Sequence, residues 1–146
     1  MLQSMKPFLL ALLLAATSLQ ASDLWSTDYK SALARAASEN KPVLLEFTGS
    51  DWCPPCKMMT AQIFETHEFT EFAKASLVPV KLDYPRSKPQ STELKTQNQE
   101  LAQQYGIEGF PTIVLLSSEG NELGRNVGLM RGGPAAMISW IESKLK

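Results

Sequence analysis

"FTGSDWCPPCKMM", residues 47–59, holds both cysteines of the chain, Cys53 and Cys56, with only two prolines between them. Three chemistries suit such a pair: reversible redox exchange, part of a metal site, or a structural staple. The local sequence favours exchange. A helix that opens on Pro54 and Pro55 makes Cys53 its N-cap, where the helix dipole and free backbone N–H groups stabilise a thiolate. The thiolate is the attacking species in thiol–disulfide exchange. Cys56, one turn along, points inward and is placed to resolve a mixed disulfide. Pro55 has no N–H, so Cys56 supplies the main backbone donor within reach of the Cys53 sulfur. Neither proline adds a charge or a side-chain donor. The expectation is therefore a moderately stabilised thiolate and a rather reducing couple.

The other two readings are weaker but stay open. A structural zinc site wants four ligands, and the chain offers its two cysteines and a single histidine, His67. Two-coordinate Cu(I) on the pair alone, as in a copper chaperone, is compatible with soft thiolates. A staple closing so short a loop would constrain the unfolded chain little.

Working outward, residues 1–21, "MLQSMKPFLLALLLAATSLQA", have the layout of a secretory signal peptide. Lys6 precedes an apolar run from Phe8 to Ala16, and small and polar residues end at Ala21. The run is well short of the roughly 20 residues of a membrane-spanning helix. Export to a periplasmic location, where disulfides persist, is the expectation, with a single domain over 22–146. The whole chain of 146 residues carries a formal charge of −1. Without Lys6, the leader's one charged residue, it is a unit more negative. So small an imbalance gives no footprint for nucleic acid or an anionic membrane.

Apolar spacing predicts a helix over 25–39, with Trp25, Tyr29, Ala32, Leu33 and Ala36 on one face. "VLLEF" (43–47) suits a strand buried on both faces. A helix follows from Pro54 to Phe64, and another from His67 to Ala75 capped by Thr66. "LVPVKLD" (77–83) is a second strand, and Tyr84 to Gln90 an exposed loop. A polar helix spans 92–105, closed by Gly106. "TIVLL" (112–116) and "LGRNVG" form an antiparallel hairpin. Pro134 opens a last helix with Met137, Ile138, Ile141 and Leu145 as its apolar stripe. This order implies an α/β fold, a mixed central sheet with helices on both faces.

"WCPPCK" (52–57) resembles the first signature of the thioredoxin superfamily, and "YGIEGFPTIVLL" (105–116) resembles the second. Together they cover the fold from about Trp25 to Lys144. "NKPVLLEFTGSDWC" is similar to the exported bacterial branch, which includes small periplasmic reductases of DsbH type and the C-terminal domain of the electron transporter DsbD. The resemblance implies a thioredoxin fold and a thiol–disulfide oxidoreductase with a redox-active Cys53–Cys56 disulfide. It implies no bound cofactor and no metal, because the disulfide itself carries the two electrons. Disulfide reductase is the expected direction; oxidase or isomerase is the alternative.

Residue roles follow from the same resemblance. Cys53 corresponds to the exposed nucleophile and Cys56 to the resolving thiol. Pro111, in a cis peptide bond after Phe110, would face the pair, keep a backbone N–H away from the sulfur and shape a groove for extended substrate. Trp52, Pro54 and Phe110 would border that groove, Phe110 being bulkier than is usual there. Glu46 corresponds to a buried acid that exchanges a proton with the resolving cysteine. It lies one position further from the first cysteine than is usual, because "TGSD" carries an extra residue; a strand-end carboxylate reaching solvent is the competing reading. Partners would be protein or peptide disulfides and a membrane thiol donor. Nothing resembles the added dimerisation domain of the disulfide isomerases, so a monomer is expected.

Overall fold

The apolar run after Pro42 becomes β1 (Val43–Thr48), a strand buried along its whole length. Around it the computed structural model describes residues 23–146; the leader expected over 1–21 lies outside them. Three further strands, β2 (Val78–Asp83), β3 (Thr112–Leu116) and β4 (Glu122–Val127), complete a sheet of order β2-β1-β3-β4. β1 runs parallel to β2 and antiparallel to β3, and β3 and β4 form the expected hairpin. Pro79 sits on an edge strand, where its missing N–H does least harm.

Alternation along β1 divides the core. Val43, Leu45 and Phe47 pack with Val78, Val80, Leu82, Ala32, Ala36 and Leu101, under helices α1 (Tyr29–Glu39) and α4 (Thr92–Gln104). Leu44 lies in the other cluster, with Met59, Phe69 and Ile141 from the opposite helical layer. That layer comprises α2 (Pro54–Met59), α3 (His67–Ser76) and α5 (Gly133–Lys144). Glu46 and Thr48 share the parity of Leu44, so they belong to the face that α2 covers.

Three sequence expectations need correction. Trp25 is not helical: Asp28 caps α1 by accepting from the Ser31 N–H at 2.6 Å, and Trp25 packs against Phe64 and Phe69 instead. The chain before the cap is held by a β-bridge, Ser26 N–H to Pro79 O and Lys81 N–H to Ser26 O. The helix expected over 54–64 changes at Thr60 into a π-helical turn, Thr60–Phe64. Leu145 caps α5 and is exposed, leaving Met137 and Ile141 as that helix's buried residues. The loop after β2 is exposed over 86–89, as expected, while Tyr84 at its start is half-buried, stacked on Phe47 and tilted against Phe110.

Candidate active site

The turn between β1 and α2 delivers the cysteine pair. The Gly49 carbonyl accepts from Trp52 N–H at 3.3 Å and Cys53 N–H at 2.9 Å, which closes the turn. Gly49 is needed there because a Cβ would fall 2.5–2.7 Å from the Trp52 indole. Cys53 is the N-cap of α2, followed by the two prolines, as the sequence implied. The cysteines are joined as a disulfide with Cα atoms 5.2 Å apart.

Contacts around the two sulfurs are sparse. Cys56 N–H donates to Cys53 Sγ at 3.4 Å, the backbone donor anticipated from the missing N–H of Pro55. Phe110 O lies 3.8 Å from Cys53 Sγ. That carbonyl can accept from a thiol but opposes a thiolate. Cys56 Sγ has its own donor, Gly49 N–H at 3.5 Å, which depends on tertiary placement and carries no sequence signal. In the disulfide, Cys56 is wholly buried and Cys53 is only 3% exposed, less open than the exposed nucleophile anticipated.

The Phe110–Pro111 peptide is cis, as the resemblance implied. Pro111 is buried, and its carbonyl accepts from Gly128 N–H at 2.8 Å. Phe110 meets Trp52 edge-on at a centroid distance of 5.9 Å and Tyr84 at 5.0 Å. Trp52 donates its indole N–H to Tyr84 O at 2.8 Å. Pro54 is exposed at the start of α2. Trp52, Phe110 and Tyr84 thus form an aromatic wall beside the disulfide.

Glu46 is 0% exposed, so the alternative of a carboxylate reaching solvent is overturned. Neither of its oxygens has a hydrogen-bond partner among the described residues, and the same holds for Thr48 Oγ1. Burial raises the Glu46 pKa to about 7; Lys81, its register partner on β2, opposes the rise and Asp83 adds to it. The group can therefore take up or release a proton near neutral pH.

A family model described as a thioredoxin-like domain matches residues 29–143, and both signatures fall inside that span. The chain belongs to the thioredoxin-like family. Among curated proteins this thioredoxin-like chain is 41% identical over 126 residues to the disulfide bond reductase DsbH of Chlamydia pneumoniae, covering 86% of this chain and 75% of that one. It is 32% identical over 117 residues to the thioredoxin-related protein DsbJ of the same organism, covering 73% of this chain and 34% of DsbJ. Among solved structures a DsbH oxidoreductase superposes with a TM-score of 0.77 at 41% identity, covering 83% of each chain. The reduced C-terminal domain of Neisseria meningitidis DsbD gives 0.60 at 27% identity, covering 79% of this chain and 92% of that domain. The protein is a thiol–disulfide oxidoreductase of DsbH type, with Cys53 and Cys56 as its redox pair.

Proposed function

We propose that this thioredoxin-like protein is an exported disulfide reductase. The observation that carries the direction is the thin donor set around Cys53 Sγ: one backbone N–H at 3.4 Å, and a carbonyl oxygen nearby that disfavours negative charge. Strongly oxidising members of the wider chemistry owe their potential to a heavily stabilised reduced form. Little here supplies such stabilisation. The likeness to a protein named as a disulfide bond reductase supports the same direction.

In the reductive half-reaction, the Cys53 thiolate attacks one sulfur of a substrate disulfide. A mixed disulfide forms and the first substrate thiolate leaves. Cys56 then passes its proton to Glu46 and attacks Cys53 Sγ. The second substrate thiolate leaves and the Cys53–Cys56 disulfide closes. A membrane thiol donor returns two electrons to the pair; Glu46 gives its proton back to Cys56, and Cys53 is left as the thiolate. Pro111, with Trp52, Phe110 and Pro54 bordering the groove, holds the substrate segment extended across Cys53. Export is supported by the leader pattern over 1–21 and by the likeness to Dsb-type proteins, and a single unit over 22–146 acts as a monomer on protein or peptide disulfides.

Insulin reduction by the protein in the presence of dithiothreitol tests this reading. Acceleration that Cys53→Ser abolishes is the expected outcome. Absence of acceleration, together with faster disulfide formation in a reduced unfolded protein, would reverse the assigned direction.

A further inference from the structure

The segment after β2 is clamped to the active-site turn by contacts that leave the Arg86 guanidinium without an ion pair among the described residues. Asp51, two positions before Cys53, accepts three successive backbone N–H groups. Arg86 donates to Oδ1 at 3.0 Å, and Ser87 and Lys88 to Oδ2 at 2.7 and 3.0 Å. Ser50 binds Asp83 through both its N–H and its hydroxyl. Lys88 is paired with the same Asp83 at 3.5 Å. Both acids of the region therefore have partners. The Arg86 guanidinium has none among the described residues; its Cζ lies over the Trp52 indole, 3.6 Å from the ring centroid.

We infer that Arg86 is a specificity-determining residue that selects acidic polypeptide segments flanking the target disulfide. A guanidinium stacked on an indole is held by its face, which leaves its edge of N–H donors free for a carboxylate. Trp52 immediately precedes Cys53 and meets Phe110, the residue before the cis proline. The cation is thus mounted on the wall that borders the sulfur. Asp51 is the positioning residue: it organises the backbone of 86–88 through three N–H groups, and no ion pair joins it to the Arg86 guanidinium among the described residues. Ser50 and Asp51 of "TGSD" anchor the loop together with Trp52, whose indole N–H binds Tyr84 O.

This inference rests on the pair reducing substrates, and the test separates the two. Three disulfide peptides, identical except for Glu, Gln or Lys on either side of the cysteines, are reduced by the dithiol protein under single-turnover conditions. The wild type is expected to favour the Glu peptide over the Lys peptide by about fivefold, the size of one partly exposed ion pair. That ratio should fall as ionic strength rises. Arg86→Gln should bring the ratio near unity, Arg86→Lys should keep part of it, and Asp51→Asn should lower it. Equal rates for the Glu and Lys peptides, with the Gln peptide still reduced, would overturn this inference alone. Failure to reduce the Gln peptide would overturn it together with the proposed direction. A uniform change with all three peptides in Arg86→Gln, or a shift in the Cys53 thiol pKa, would also overturn it, because Arg86 would then act on the sulfur or the fold.

Discussion

Both carboxylate oxygens of Glu46 lie in the core without partners, so ionising the group costs more in the folded chain than in the unfolded one. Because the folded pKa lies above the ordinary glutamate value, its contribution to stability is fully present below about pH 4.5 and is lost as pH rises through about 7. The lifting of the pKa corresponds to about 3 kcal/mol over that window. Urea unfolding of the oxidised protein at pH 4.5 and pH 8 measures it. The wild type should lose about 3 kcal/mol more than Glu46→Gln between the two conditions; parallel losses would show that Glu46 is not the titrating group. The identity of this acid and its strand were legible in the sequence. Its burial was implied by the resemblance but left in competition with a solvent-reaching carboxylate, because the side chain's fate depends on the α2, α3 and α5 layer closing over one face of β1.

At the scale of elements, most boundaries followed from caps and punctuation. Thr66 was readable as an N-cap, and its hydroxyl does accept from Phe69 N–H at 3.3 Å. The same hydroxyl donates to Ile63 O at 2.6 Å, so it joins the end of the π-helical turn to the start of α3. Thr66→Ala removes both bonds, and its expected cost is about 1–2 kcal/mol. Urea titration should show a lower midpoint at unchanged slope; a midpoint shift equivalent to less than about 0.3 kcal/mol would mean that the junction is held by packing alone. The π turn itself escaped the sequence because no proline or glycine marks it: "TAQIF" is an ordinary helical string. Trp25 misled for a related reason. Its spacing fits the α1 face, yet Asp28 starts the helix after it, and the indole turns to the Phe64–Phe69 cluster.

At the scale of the whole molecule, the run of elements was enough to read a mixed sheet, while its strand order, β2-β1-β3-β4, was not legible. The central strand, the hairpin and the helices on both faces all followed. What stayed hidden was tertiary. The Ser26–Val80 bridge and the clamp of 83–88 on 50–52 join segments distant in sequence, through residues that look like ordinary loop composition. These contacts shape the site, because the clamp places Tyr84 and Arg86 against Trp52 and hence beside Cys53. The edges of the sheet are protected by ordinary means: β2 carries Pro79 and is bridged by Ser26, and β4 carries Glu122 and Arg125 as an ion pair at 2.6 Å.

The proposed reductase direction requires a reducing couple at Cys53–Cys56, and equilibration against glutathione measures its reduction potential. The sparse donors at Cys53 Sγ predict a value near the roughly −270 mV of thioredoxins, whereas a value near about −120 mV would mean a thiolate far better stabilised than these contacts allow and would contradict the account.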